Sequence, residues 1–544
     1  MPDLTITYSD EPSGAREATT PATEDLEDFC NLPDILLAGN QAPQHATFED
    51  GYWVLGTAFR LFPDQPKGLT WGLFSKQISG EDGTFAQPIT LVLALSAVYS
   101  SIGMTLQFDP YGPTWCNDLD IQWWRNGAQI HSKTFHPDAW QYVCLEEVHN
   151  FDMVAITFKK MSAGYRFLKL QALTYGITRT FDSEECFNID LCQDTDLLSD
   201  AVSVNTLDFT LMNKSAINFL FQRRQLLQAK YGNELLGVYY ISTHSKSGRR
   251  YDIHAVDLVG LAEMAGNHQG GIYSGIRAED LVAEILGDSI PWVMDEDLKD
   301  VLLYGYLAST GKRENLRQVA FALCAMVVTG HRSYVEITRQ KKVLAGTFPD
   351  VKSYENGAVE SGALVTAVRV TAHSYTLGDS VTTLYEDVLT GDNELDFSEP
   401  IGDLQITGGQ IISSNANHAV IRGTGAQVVL TGRQYVHQKR VYTKTNPLKN
   451  ANDADNPVEY KDMTLVSSHN IQEVLASCYA RQLRQDTIKG KVQTLTERPG
   501  DYVEAITDDG EVRKGHVLSL DYVASAKLAA EAVILADYTG EDAG

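Results

Sequence analysis

The sequence is poor in positive charge. Its 544 residues hold 44 Lys and Arg against 71 Asp and Glu, which leaves a formal net charge of −27 at pH 7. A general nucleic-acid-binding protein needs a basic surface that displaces counterions from phosphates, and a protein that docks on an anionic membrane needs basic clusters. The charge balance therefore argues against both classes.

Long apolar runs are also missing. The longest candidate, 89–104, contains Ser, Thr and Tyr. It falls short of the roughly 18 uninterrupted apolar residues that a membrane helix needs. The acidic beginning Met1-Pro2-Asp3-Leu4 lacks the basic-then-apolar order of a signal peptide. We therefore expect a chain that folds in a cytoplasm and does not insert into membranes.

The cysteines do not form a recognisable disulfide framework. There are seven of them, and an odd, scattered set is typical of a protein from a reducing compartment. Cys186 and Cys192 are close enough in sequence to be considered as a redox pair. Free thiols are the favoured interpretation, and the pairing stays open at this point.

Catalytic motifs are absent or incomplete. The segment Gly305–Arg313 approaches a phosphate-binding loop, but Tyr306 stands at the first required Gly and Arg313 at the required Ser or Thr. Three possible metal ligands lie close in sequence without Cys or Glu partners, namely His131, His136 and Asp138. The sequence therefore predicts no catalytic residue, no cofactor and no metal site.

The length and the local texture indicate several domains, because one hydrophobic core rarely organises so long a chain. We predict a mainly β, multidomain fold. The predicted segments are an acidic flexible arm over 1–44, a jelly-roll β-sandwich over 45–176, a first β unit over 177–255, an α+β domain over 256–345, a β domain over 346–435, and a helix plus a second β unit over 436–544.

Alternating apolar residues carry the sandwich prediction. The segments 104–108, 119–123 and 154–158 alternate strictly, as half-buried strands do. Asn126-Gly127 supplies the two positive-φ residues of a tight hairpin turn. Short strands separated by turn signals indicate a sandwich of jelly-roll type.

Other patterns predict the later elements. Apolar residues at helical spacing between 278 and 286 end at Gly287, a good helix C-terminal cap. A second helix is predicted near 470–485, and the Gly- and Asn-rich segment 407–425 indicates sheet corners and turns. The apolar run 528–535 fits a helix or a strand, and we favour a strand that pairs with 517–523.

Aromatic residues are concentrated near the N-terminus. Six of the seven tryptophans fall between Trp53 and Trp140, and aromatic rings suit the apolar faces of sugars. Trp123 is interpreted as a core residue. The candidate carbohydrate-binding residues are the loop-placed Trp71, Trp115 and Trp140, with Asn117, Asp118 and His136 as hydrogen-bonding neighbours.

Blocks in the middle of the chain resemble the baseplate-hub family of bacteriophage tails and related contractile injection systems. The blocks are Val204–Leu211, Phe221–Gln225, Leu236–Ile241, Tyr251–Leu261, Gly270–Tyr273, Tyr304–Leu307 and Arg313–Ala322. Separately, 45–175 resembles the galactose-binding-type jelly rolls of tail tips. That resemblance is carried by Leu119–Trp124, Phe135–Asp138, Val148–Asp152, Ile156–Phe158 and Tyr165–Leu170.

The resemblance implies a structural virion protein. In the family, two small hub β-barrels alternate around a threefold axis, so that a homotrimer forms a pseudo-sixfold ring on the tail tube. The segments 177–255 and 436–540 would be these barrels, with related topology and most of the contacts between subunits. Implied partners are distal-tail or tube proteins, tail-tip or fibre proteins, and a host polysaccharide.

The acidic charge has two interpretations. A lumen lined with carboxylates would let DNA pass without specific binding, whereas solubility alone also explains the charge. Two other functions remain open at this stage: a free carbohydrate-binding adhesin, and a tail-associated cell-wall hydrolase.

Overall fold

A computed structural model of the chain describes most of its length. The described residues are 4–9, 11, 14–37, 47, 49, 71–112, 114–176, 178–214, 221, 223–232, 234–287, 290–348, 358–449, 452, 454–492, 496–507, 509–524 and 528–537. Trp53 and parts of the predicted arm lie outside them. No helix in this part of the chain has the length and apolarity to cross a membrane.

The chain divides into two compact units. The N-terminal unit comprises Thr7–Thr180 and Phe219–Phe221, and the main unit comprises Met1–Ile6, Phe181–Asn218 and Gln222–Gly544. Two strands include boundary residues of this division, β1 (Leu4–Ser9) and β9 (Thr178–Phe181). The mainly β, multidomain class predicted from the sequence is confirmed.

The N-terminal unit is built on one sheet. Its elements are β2 (Thr19–Ala22), a 3-10 helix (Leu32–Leu36), β3 (Leu73–Ile78), β4 (Thr84–Phe108), β5 (Cys116–Arg125), β6 (Ala128–Phe135), β7 (Gln141–Met161) and β8 (Phe167–Tyr175). The strand order is β3-β8-β4-β7-β5-β6, with β2 beside β4. Part of the predicted arm thus forms β1, β2 and the 3-10 helix, and its flexibility stays a prediction.

Two long strands hold this sheet together. The first part of β4 pairs with the end of β7, and its last part pairs with the beginning of β7 and with β8. Buried side chains from both parts, such as Leu91 and Leu106, belong to one core cluster that also contains Trp123. The core role of Trp123 is confirmed, whereas the jelly-roll topology stays a prediction.

The turn between β5 and β6 has the predicted chemistry. Asn126 and Gly127 have φ angles of 48° and 77°. Both values are positive, as a tight turn between twisted antiparallel strands requires. The hairpin prediction is therefore confirmed.

The main unit contains most of the secondary structure. Its strands are β10 (Cys186–Asp194), β11 (Thr206–Met212), β12 (Leu226–Tyr231), β13 (Glu234–Ser247), β14 (Arg250–Val256), β15 (Asn267–His268), β16 (Gly271–Arg277), β17 (Trp292–Met294), β18 (Leu302–Leu307), β19 (Thr310–Gly311), β20 (Ala325–Val328), β21 (Val335–Arg339), β22 (Leu344–Phe348), β23 (Ala358–Ser361), β24 (Ala367–Asp396), β25 (Ile401–Thr407), β26 (Gly409–Ser414), β27 (His418–Thr445), β28 (Pro457–Tyr460), β29 (Asp486–Val492), β30 (Tyr502–Ile506), β31 (Val512–Ala524) and β32 (Leu528–Ala536). Its helices are α1 (Leu258–Met264), α2 (Ala278–Leu286), α3 (Glu296–Lys299), α4 (Lys312–Ala322) and α5 (Ile471–Leu483).

The two predicted β units of this region form one sheet, here called the joined sheet. Its order is β23-β29-β32-β31-β10-β11-β14-β13-β12, and β30 with β22 continues from β31. Within it, β11-β14-β13-β12 and β29-β32-β31-β30 share the order first, fourth, third, second. All neighbours in both groups are antiparallel, which makes each group a Greek key. Closure of either group into a barrel stays a prediction.

The helices lie between these two groups in sequence. The apolar faces of α1, α2 and α4 share one core cluster with strands β18, β20 and β21. Helix α2 ends as predicted, because Gly287 follows it with a φ of 67°. The run 528–535 forms β32 and pairs with β31, so the predicted strand is confirmed.

Two long antiparallel strands place the sequence between 367 and 445 in a separate sheet, with the order β25-β27-β24-β28 and β26 beside β27. Strand β24 pairs with β27 from Ala367 and Thr445 to Asp396 and His418. Thirty residues in β conformation span roughly 90 Å. The predicted domain boundary at 435 and 436 therefore falls inside β27, because pairing with β24 continues through it.

The prediction of sheet corners and turns over 407–425 is confirmed only at Gly408, with a φ of 78°, and at 415–417, where the chain passes from one strand to the next. Most of this segment belongs to β26 and β27, with a turn at 415–417. Glycines inside the strands allow close strand approach: a Cβ at Gly423 would lie 2.3 Å from the Leu389 carbonyl oxygen. A pattern rich in Gly and Asn cannot distinguish these two uses.

One buried carboxylate connects three segments of the main unit. Asp257 caps α1 by accepting from Gly260 N at 2.9 Å, and it also accepts from Asn205 N at 3.1 Å and from the Thr329 hydroxyl. Burial raises the pKa of Asp257 from its ordinary value of 3.8 to about 6. Because the folded value lies above the unfolded one, this group favours the folded state most below about pH 4, and that contribution is lost as pH rises through 6.

Asp257→Ala should destabilise the main unit strongly. The substitution leaves three buried donors without an acceptor, and we expect a loss of about 3 kcal/mol in the free energy of unfolding. Asp280→Ala is the control, because it breaks only a half-exposed ion pair with Arg277. Denaturant unfolding at pH 7 measures both, and equal losses for the two variants would contradict this role of Asp257.

Candidate functional site: the acidic face of the joined sheet

The junction between the two Greek keys is an antiparallel pairing of β10 with β31. Cys192 lies opposite Asp521, and Asp194 lies opposite Ser519. Side chains that are directly opposite one another point to the same face of a sheet. The pairing therefore sets which side chains of the two units meet.

Carboxylates accumulate on one face around this junction, here called the acidic face. Asp190 lies directly opposite Asp208 on β11, and Asp521 lies directly opposite Glu531 on β32. The alternation of strand side chains places two more carboxylates on the same face, Asp194 on β10 and Asp252 on β14. Like charges directly opposite one another destabilise a sheet, so stability does not explain these pairs.

The other face of the same strands is apolar. Leu191, Leu207, Leu520 and Tyr522 are buried there. Burial of these side chains, at about 25 cal/mol per Å² of apolar surface, holds the strands together against the repulsion on the acidic face. The sheet thus tolerates its charge because its two faces have separate roles.

The electrostatics of the acidic face follow from this geometry. Burial raises the pKa of Asp521, and the neighbouring carboxylates of Asp190, Asp194 and Glu531 raise it further. Burial, followed by the charges of Asp521 and Asp190, raises the pKa of the Cys192 thiol to about 12. This thiol is therefore protonated at neutral pH.

The redox pair considered from the sequence is wrong. Cys186 and Cys192 are both free. They are six residues apart on β10, a separation of roughly 20 Å in a strand. A disulfide needs Cα atoms within about 7 Å of each other.

Two basic side chains contact carboxylates at the β14 side of the acidic face. His254 Nδ1 lies 2.8 Å from Asp208 Oδ1, and Arg250 lies 2.8 Å from Asp252 Oδ1. All four side chains are partly exposed, so water screens both pairs. At the junction itself, no described cation forms an ion pair with Asp190, Asp194 or Asp521.

The structure separates the predicted carbohydrate-binding residues. Trp71 is only 1% exposed and packs edge-to-face on Phe74, so the prediction of a ligand-facing ring is wrong for it. Trp115 is partly buried against the core and donates from Nε1 to the Pro137 carbonyl at 2.9 Å. Trp140 is 39% exposed and remains available to a ligand.

The polar candidates lie together beside Trp115. His136 Nδ1 is 4.0 Å from Asp118 Oδ1, and Lys159 Nζ is 3.5 Å from the same oxygen. The Oδ1 atom of Asn117 is buried without a hydrogen-bond partner in the described part of the chain. Sequence reasoning thus found neighbours in this group, and it missed Lys159 because β7 reaches the group from a distant part of the chain.

The acidic face was not predicted from the sequence. The alternation of Asp190 and Asp194 with the apolar Leu191 was a readable signal for a charged strand face. The pairing of β10 with β31 across more than 300 residues was not readable, because strand alternation carries no information on which strands become neighbours.

Comparisons with known proteins give a fold likeness. No family model matches the chain, and no curated protein matches it. Solved structures similar to it include tail proteins. A tail protein from Neisseria meningitidis MC58 is 12% identical with a TM-score of 0.42, over 65% of this chain and 93% of that one. The 43 kDa tail protein of prophage MuSo2 from Shewanella oneidensis is 10% identical with a TM-score of 0.40, over 65% and 95%.

A third similar structure is a component of a type VI secretion system, the c3393 protein of E. coli. It is 9% identical with a TM-score of 0.35, over 66% of this chain and 74% of that one. Its description gives structural similarity to the bacteriophage T4 tail proteins gp27 and gp5. At these low identities and scores, none of the three likenesses establishes a shared function.

Asp521→Asn should stabilise the protein at neutral pH. It removes one charge from the repelling pair with Glu531, and we expect a gain of roughly 0.5–1 kcal/mol in the free energy of unfolding. Because the pKa of Asp521 is raised, the gain should grow as pH rises through that pKa and vanish in acid. Glu234→Gln, which removes an exposed charge elsewhere on the sheet, is the control.

Thermal and denaturant unfolding between pH 4 and pH 8 would measure this difference. If the gain in the free energy of unfolding of Asp521→Asn persisted in acid, or if Glu234→Gln showed an equal gain, repulsion at the junction would not be the source of the gain.

Proposed function

We propose that this chain is a structural, non-enzymatic virion protein that forms a trimeric hub at the tip of a phage tail tube and continues the DNA channel. The observation that carries the proposal is the acidic face of the joined sheet. Its carboxylate pairs reduce the stability of the sheet. In a channel for DNA they would have a function, because carboxylates repel phosphates and prevent adhesion.

The repeated strand order supports the trimer. One chain holds two Greek keys of the same order, joined by the pairing of β10 with β31. Three copies would therefore present six similar units, which is the count a pseudo-sixfold tube requires. The blocks that resemble the hub family begin in this sheet, since Val204–Leu211 contains most of β11 and Tyr251–Leu261 contains most of β14.

An exposed strand edge supports contact with neighbouring tail proteins. In the described residues, β24 is paired on its second side only over Ala367–Val370, by β28. Further along, His373 N donates to the Val466 carbonyl oxygen at 2.7 Å, and after His373 no described strand pairs with this edge. Val381 and Val388 are exposed in that stretch of β24. Open edges of this length favour association, so distal-tail or tube proteins, or tail-tip and fibre proteins, are proposed to contact this edge of β24.

The purified full-length protein should form rings of three copies. We expect native mass spectrometry to give the mass of a homotrimer, and cryo-electron microscopy to show a central hole lined by the acidic face. A ring whose hole is lined by other surfaces would contradict the channel proposal. A monomer that does not bind tail tubes would contradict the hub proposal as a whole.

The two alternative functions give different results in the same preparation. Cell-wall hydrolysis by the purified protein would favour the tail-associated hydrolase and overturn the non-enzymatic assignment. A stable monomer that binds cell-surface glycans and ignores tail tubes would favour a free carbohydrate-binding adhesin.

The N-terminal unit is the proposed site of host attachment through a surface polysaccharide. The support is the exposed ring of Trp140 and the group formed by Asn117, Asp118 and His136, whose side chain is 73% exposed. An aromatic ring stacks on a sugar while the polar side chains take its hydroxyl groups. Three copies in one ring would strengthen a weak single contact.

Trp140→Ala should weaken retention of the full-length protein on host cell walls about fivefold, because a stacking contact is lost. Phe187→Ala is the control, since Phe187 is 38% exposed against 39% for Trp140 and belongs to the main unit. Pull-down on purified walls measures retention. Failure of the wild type to bind any wall, or equal loss in both variants, would sink the carbohydrate proposal and leave a packing role.

A further inference from the structure

A cavity of about 610 Å³ in the main unit collects positive charge in a chain that has little of it. It lies among α5, the segment after β21, the end of β27 and the end of β32. Five cationic side chains line it, namely Arg339, Lys342, Lys444, Arg481 and Arg484. Its size is that of a small-molecule site.

The two carboxylates that line the cavity are already paired. Glu473 Oε1 lies 2.7 Å from Arg339 Nη1, and Asp537 Oδ2 lies 3.0 Å from Lys342 Nζ. Each of these acids offsets one cation. The remaining cations of the cavity therefore keep most of their charge.

Arg484 is a fixed part of the wall. Its side chain is 8% exposed, and it donates to the carbonyl oxygens of Leu535 and Ala536 at 2.6 and 3.1 Å. Burial lowers the pKa of Arg484 to about 10, so it is protonated at neutral pH. The Asp537 carboxylate is shared between two cations. Its Oδ1 atom lies 3.5 Å from Arg484, and its Oδ2 atom pairs with Lys342.

Arg481 and Lys444 form no ion pair within the described residues. The Arg481 side chain also makes no hydrogen bond there; burial lowers its pKa, and the more distant charge of Asp196 opposes that shift in part. Lys444 Nζ lies 4.1 Å from the centre of the Tyr479 ring, a contact that leaves its charge in place. Two cations without an ion-pair partner among the described residues thus line the same cavity.

A helix dipole does not account for this arrangement. Arg481 lies in the last turn of α5, where a cation complements a partial charge of about −0.5. That partial charge is smaller than the charge of Arg481 alone. Lys444 belongs to the strand β27, so the helix does not explain its position. The excess of positive charge remains after this contribution.

We infer that this cavity binds a small multivalent oxyanion, bearing phosphate or clustered carboxylate groups. The Arg481 guanidinium offers a planar fork of donors that matches either group, and Lys444 adds a second charge. Arg484 adds positive potential from the wall. Anion binding in this cavity is separate from the function proposed for the acidic face, so the inference does not depend on the tail-hub proposal.

Isothermal titration of the full-length protein with pyrophosphate and with citrate, in low-salt buffer, tests the site. We expect saturable binding of at least one anion with a dissociation constant below about 1 mM, which corresponds to a modest binding free energy. Tighter binding of pyrophosphate identifies the phosphate class, and tighter binding of citrate identifies the carboxylate class. Either result supports the inference.

Charge-matched variants locate the binding. Arg481→Gln and Lys444→Gln should each weaken the anion about tenfold, because each removes a charge-assisted contact. Lys491→Gln removes an exposed cation on β29 and should leave affinity within about twofold. No binding of either anion by the wild type, or the same loss in all three folded variants, would overturn the inference.

Discussion

The pairing of β10 with β31 is the interaction on which the main unit depends. It joins two Greek keys, of which one ends at Val256 and the other begins at Asp486, into one sheet. The same backbone hydrogen bonds that connect the two units also align their side chains, so that apolar residues meet on one face and carboxylates on the other. A shift of one residue would exchange these faces, and the buried apolar face excludes that shift.

The separation of roles between the two faces explains how the sheet holds unfavourable charges. Leu191 and Tyr522 supply burial on one side, while Asp521 and Glu531 repel each other on the other. Burial in the core offsets the free energy of this repulsion, as is common where function requires a locally unfavourable arrangement. Asp257 shows the opposite solution, in which a buried charge is retained because three donors satisfy it.

Local patterns predicted local structure well. The helical spacing before Gly287, the turn at Asn126-Gly127 and the strand over 528–535 all formed, because each depends on neighbours within a few residues. Predictions that depended on contacts between distant parts of the chain were less successful. Trp71 was interpreted as a loop residue open to ligands, but packing on Phe74 and the core of its own unit buries it. The segment 407–425 was interpreted as corners and turns, but most of it forms strands, in which Gly423 permits close strand approach.

The sequence by itself determined the mainly β class, the acidic character of the chain, and which residues of each strand alternate between core and surface. Only the tertiary structure decided which strands became neighbours, and hence that Asp190 faces Asp208 and that Arg481 and Lys444 share one cavity. The physical reason is that alternation and helical period are encoded within a few residues, whereas strand pairing and cavity walls are set by burial summed over the whole unit.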